Sequence, residues 1–128
     1  MASSLRATLR AYAQQPATPD QVLQRVNQAT WQCSAGDQLV GMCYAELSPD
    51  SGQVKMATAG RPIVIRINGG VWHSLIEPQV PLGAEPDFDP ELLEHQLAPG
   101  DVMLWCSETV RAVHNEHGRP LDEAELAG

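Results

Sequence analysis

Ser107 and Glu108 follow Val102-Met-Leu-Trp-Cys106, a continuously apolar run that comes after Leu97-Ala-Pro-Gly-Asp101. Pro99 and Gly100 supply turn geometry and Asp101 can accept turn hydrogen bonds, while five apolar residues in a row predict a strand covered on both faces. The end of that strand is where chemistry is expected. A carboxylate there is the ligand type that hard divalent cations take.

The other candidates read as structure. Glu85, Asp87, Asp89 and Glu91 alternate through a Pro-rich stretch but lack the glycine and twelve-residue spacing of an EF-hand, so a solvated acidic loop is expected. His114 and His117 are flanked by Asn115 and Gly118, a loop pattern, and no cysteine or paired carboxylate completes a zinc set. None of Ser3, Ser4, Ser34, Ser74 and Ser107 sits in a Gly-x-Ser-x-Gly elbow. Cys106 lies within the apolar run and reads as packing. Trp31, Trp72 and Trp105, with Met42, Met56 and Met103, are expected in the core.

Composition narrows the class. The 128 residues support one domain, and 43% hydrophobic content allows a real core. No apolar run reaches the roughly 20 residues of a membrane span, and the N-terminus lacks a secretory apolar stretch, so a cytoplasmic protein is expected. Cys33, Cys43 and Cys106 are odd in number and widely spaced, which predicts reduced, mostly buried thiols. The net charge of −8 disfavours nucleic acid and anionic lipid as partners. Residues 69–128 hold twelve of the sixteen acidic groups, a pattern expected of a solvated, solubilising face.

Leu5, Leu9 and Tyr12 predict a short helix over residues 3–15. Thr18-Pro19-Asp20, followed by Val22, Leu23, Val26 and Ala29, predicts a second helix running to about Gln32. Strands are expected at Gln38–Leu47, Gln53–Thr58, Pro62–Ile67 and Val71–Leu75, separated by Pro49-Asp-Ser-Gly52, Ala59-Gly60 and Asn68-Gly-Gly70. The β-branched run Ile63–Ile67 predicts a central strand. Leu92–Leu97 and Val102–Cys106 predict one more hairpin, and helical turns are expected over 109–113 and from Leu121 onward. The expected architecture is α+β, with two N-terminal helices (1–33) packed on an antiparallel β-meander (37–107, with an acidic loop over 76–90) and a tail over 108–128.

The order of the motifs resembles the catalytic domain of SpoIIE/RsbU-type protein Ser/Thr phosphatases of the metal-dependent PPM class. Pro19, Leu23 and Asn27 resemble a helix pattern of that family, and Leu47-Ser-Pro-Asp-Ser-Gly52 resembles its Leu-Asp-Pro-x-Thr-Gly turn. Ala59-Gly60-Arg61-Pro62 resembles an Ala-Gly-His-Pro turn with Arg61 in place of the His. Pro81-Leu82-Gly83, Leu97-Ala-Pro-Gly-Asp101 and Asn115-Glu116-His117-Gly118 continue the series. The resemblance implies part of an αββα sandwich in which carboxylates bind two Mg²⁺ or Mn²⁺ ions that activate a water for attack on phosphoserine or phosphothreonine.

Three segments supply those carboxylates in the family, and the first and last have no counterpart here. Met1 falls where the family's first helix begins and Gly128 before its last strand, so a truncated domain is expected. In the middle segment, Ser107 occupies the Asp position of an aromatic-Thr-Asp-Gly motif and Glu108 that of its Gly. A neutral Ser107 cannot replace a bridging carboxylate, and a Glu108 that continued the strand would point to the opposite face. No catalytic or metal-binding residue and no cofactor are therefore expected in this chain. The implied role is a degenerate pseudophosphatase domain acting as a regulatory module in sigma-factor partner-switching, with an anti-sigma-antagonist type of protein as partner.

Two alternatives stand beside it. One is part of an active Mn²⁺- or Mg²⁺-dependent phosphatase whose missing ligands lie outside this chain; the other is an unrelated α+β binding module. Failure of residues 38–75 to form one antiparallel meander would favour the module. Truncation of a layered sandwich also leaves unpaired edges, which predicts a homodimer.

Overall fold

A computed structural model of the chain describes residues 17–108. The helix expected over 3–15, the turns expected beyond 109, His114, His117 and the Asn115–Gly118 motif lie outside the described residues.

Helix α1 spans Pro19–Ser34, with Pro19 in its first turn and the Thr18 backbone N–H donating to Gln21 Oε1 at 3.2 Å. It ends where Ala35 adopts φ +46 and its N–H donates to the Trp31 carbonyl. Val22, Leu23 and Val26 recur at helical spacing and bury one face.

Six strands follow: β1 (Met42–Ser48), β2 (Gln53–Ala59), β3 (Ile63–Asn68), β4 (Val71–Ser74), β5 (Leu93–Gln96) and β6 (Val102–Cys106). They form two antiparallel sheets, ordered β1-β2-β5 and β4-β3-β6. The hairpins predicted at Pro49–Gly52 and Asn68–Gly70 form, and β3 is central as expected.

Two expectations fail. Residues 38–75 do not form one meander, because Ala59-Gly60-Arg61-Pro62 carries the chain from β2 in one sheet to β3 in the other. Nor do β5 and β6 form a hairpin: β5 pairs with β2, and β6 with β3. The Pro99-Gly100 turn does form, with Asp101 Oδ2 accepting from Ala98 N–H at 2.8 Å, but it too crosses between sheets.

α1 packs on the outer face of the first sheet, where Val22, Leu23 and Val26 meet Ala57 and Ala59, flanked by Met42 and Tyr44. The alternate residues of that sheet, Val54, Met56 and Thr58, point to the second sheet and are buried. That the sheets face each other is shown by Trp105 of β6 lining a cavity with Cys43, Ala45, Leu47 and Val54. Arg66 of β3 likewise donates to the Gln96 carbonyl of β5. The described residues thus make helix, sheet and sheet layers, an α+β arrangement with one helix.

Burial corrects three side-chain expectations. Met56 is core, but Trp72 and Trp105 are 37% and 41% exposed. The apolar run Val102–Cys106 is not covered on both faces, since Val102 and Trp105, which point to opposite faces, are both exposed. The cysteines are free, but Cys33 is exposed and Cys43 and Cys106 are half-buried.

Candidate functional site

The positioning begins on α1. Asn27 is 1% exposed, accepts from the Gly83 backbone N–H at 2.8 Å and donates through Nδ2 to the Glu85 carbonyl at 2.8 Å. One buried amide thus holds Pro81-Leu82-Gly83 against the helix. Leu82, fully buried, exchanges backbone hydrogen bonds with Val40 at 3.0 and 2.8 Å. Gly83 has φ +88, and a Cβ there would lie 2.9 Å from Thr30 Cγ2, so only glycine fits. The stretch expected as a solvated acidic loop is therefore anchored: Phe88 is buried and Asp89 accepts from Gln24, while the carboxylates of Glu85, Asp87, Asp89 and Glu91 lie on exposed residues.

The anchored segment meets the crossover between the sheets. Gly60 N–H donates to the Val80 carbonyl at 3.1 Å, and Gln79 N–H to the Gly60 carbonyl at 2.9 Å. Gly60, at φ +74, lies against Gly41, whose Cα would be 2.8 Å from a Cβ placed on Gly60. This backbone crossing floors a cleft of about 290 Å³ bordered by Gly41, Gly60, Arg61, Gln79, Pro81 and Glu108.

Glu108 reaches that cleft. Strand β6 ends at Cys106, so the alternation that would have turned Glu108 away stops one residue earlier. Its Oε2 lies 3.8 Å from where a Cβ on Gly41 would stand, and the Arg61 backbone nitrogen lies 3.9 Å from the same point. Of the predicted positions, Gly60, Arg61 and Glu108 meet at the cleft. Ser107 is exposed, Pro62 is buried just before β3, and Gly83 belongs to the wall behind. Gly41 was not singled out by sequence reading; its signal was a glycine entering a strand, where a second backbone approaches closely.

The donor set does not fit two hard divalent ions. Such a pair takes several carboxylate oxygens, whereas Glu108 is the sole carboxylate bordering the cleft among the described residues. No group of three or more His, Cys, Asp or Glu side chains among the described residues could hold a metal ion.

Comparison with known proteins follows the same lines. The family model for Stage II sporulation protein E (SpoIIE) matches residues 1–127. The crystal structure of the RsbU and RsbW domains of Rv1364c from Mycobacterium tuberculosis is similar with a TM-score of 0.76 at 26% identity, covering 98% of this chain and 34% of that one. PppA, a key regulatory component of T6SS in Pseudomonas aeruginosa, is similar in fold, with a TM-score of 0.67 at 20% identity over 98% of this chain and 63% of that one. The chain thus spans less than two thirds of either structure. A search of curated proteins finds no match.

Proposed function

The chain belongs to the SpoIIE family, and from that premise we propose that it is a PPM phosphatase-like domain of the RsbU type that does not hydrolyse phosphoesters as it stands. It acts as a regulatory module that binds a protein partner in bacterial partner-switching signalling. The observation that carries this reading is the cleft: Glu108 is its one described carboxylate, and Ser107 holds the position where the family motif has Asp.

The failed meander does not favour an unrelated module, since the two-sheet arrangement is matched by the RsbU and RsbW structure. The partner proposed is an anti-sigma-antagonist type of protein, by resemblance. No described helix is long and apolar enough to cross a membrane.

A second reading is favoured by the short span relative to both similar structures: an active enzyme whose remaining ligands lie outside this chain. A phosphatase assay with p-nitrophenyl phosphate and a phosphoserine peptide separates the two. The first reading expects no Mn²⁺-stimulated turnover from this chain. Turnover that survives Ser107→Ala but not chelation would establish the second.

A further inference from the structure

Asn68 and Asp101 meet where the pairing of β3 with β6 ends. Ile67 faces Val102 in the last register pair, and one residue further on the Asn68 side-chain Nδ2 donates to Asp101 Oδ1. The other oxygen, Oδ2, accepts from the Ala98 N–H, so one carboxylate ties the tip of the β3–β4 hairpin to the Pro99-Gly100 turn. Asn68 is exposed. It is followed by Gly69, at φ +59 with nothing within 4 Å of where a Cβ would stand.

The chain has three asparagines, and Asn68 alone precedes glycine, since Asn27 precedes Gln28 and Asn115 precedes Glu116. That neighbour decides a reaction that needs no enzyme. When the backbone nitrogen of the next residue reaches the asparagine amide carbon it displaces ammonia, and a side chain on that next residue hinders the approach. Glycine offers no such hindrance.

We propose that Asn68 is a site of spontaneous covalent modification, with the Asp101 carboxylate as its latch. The Gly69 nitrogen attacks Asn68 Cγ; the new N–Cγ bond replaces the Cγ–Nδ2 bond, and the proton lost by the Gly69 nitrogen leaves with the amide as ammonia. Water then opens the succinimide. Addition at Cγ gives aspartate, and addition at the Asn68 backbone carbonyl gives isoaspartate, whose main chain runs through Cγ. While Nδ2 is held on Asp101, the amide is kept on the neighbouring turn and not free to rotate onto the Gly69 nitrogen, so the latch slows the attack. Either product carries an ionised carboxylate with no proton to donate, and the bond to Asp101 is lost. The reaction uses water and groups within one hairpin, and it does not depend on the functional reading.

The experiment is incubation of the unaltered 128-residue protein in warm, mildly alkaline buffer, with peptide mass spectrometry reading conversion of amide to acid and an isoaspartate assay on the same peptides. Conversion is expected roughly tenfold or more faster at Asn68 than at Asn27 or Asn115, with isoaspartate among the products. Opening the latch is expected to speed it severalfold further, either by Asp101→Ala or, with no substitution, by unfolding in guanidinium chloride. Conversion at Asn68 no faster than at the other two asparagines would overturn the proposal. So would a rate that is the same in the folded protein, in Asp101→Ala and in the unfolded chain.

Discussion

The side-chain amide of Asn27 accepts a hydrogen bond from the backbone N–H of Gly83 across a sequence separation of 56 residues. Helix and loop are thereby clamped through one buried group, and the wall behind the cleft depends on it. Asn27→Leu leaves the Gly83 N–H buried without an acceptor and the Glu85 carbonyl without its donor. The expected loss is about 2–3 kcal/mol, read as a lower urea midpoint at unchanged slope.

Gly60→Ala is expected to cost about 2 kcal/mol or more, because the residue is at φ +74 and its Cβ would press on the Gly41 Cα. Gly100→Ala, also at positive φ (+89) but in open space, costs only its backbone strain, about 1 kcal/mol. Thermal melts of the two variants measure the difference.

Much of this architecture could be read locally. Thr18-Pro19 and the spacing of Val22, Leu23 and Val26 define α1, and β6 was bounded residue for residue by Pro99-Gly100 on one side and Ser107 on the other. The division into two sheets was hidden because a turn specifies a change of direction, not which strand the chain joins next. Gly60 sits in a tight turn, yet its hydrogen bonds go to Gln79 and Val80, and nothing near Leu93 announces pairing with Met56. The direction of Glu108 stays open in the sequence for a related reason: it depends on whether β6 stops at Cys106.

His95 gives a pH dependence. Its pKa is lowered from 6.5, first by burial and then by the nearby Arg66 charge, and its Nε2 is buried without a hydrogen-bond partner. The unfolded chain therefore binds this proton more readily than the folded one, and stability falls as pH drops below about 6.5. His95→Gln should flatten the decline in unfolding free energy between roughly pH 6.5 and 5.

Burial pushes the Cys43 thiol up to about 11, whereas Cys33 is exposed on α1. Iodoacetamide near pH 8 should modify Cys33 at least tenfold faster than Cys43, since the thiolate is the reacting form. Peptide mass spectrometry over a time course reads both rates, and denaturant should abolish the difference.

The central proposal is that this chain does not catalyse metal-dependent hydrolysis, Glu108 being the one carboxylate that borders the cleft among the described residues. The most direct test is the initial rate of p-nitrophenyl phosphate hydrolysis by the 128-residue protein with saturating Mn²⁺ and again with excess chelator. The account predicts equal rates, both at buffer background. A Mn²⁺-dependent rate that disappears on chelation and falls in Glu108→Gln would contradict it.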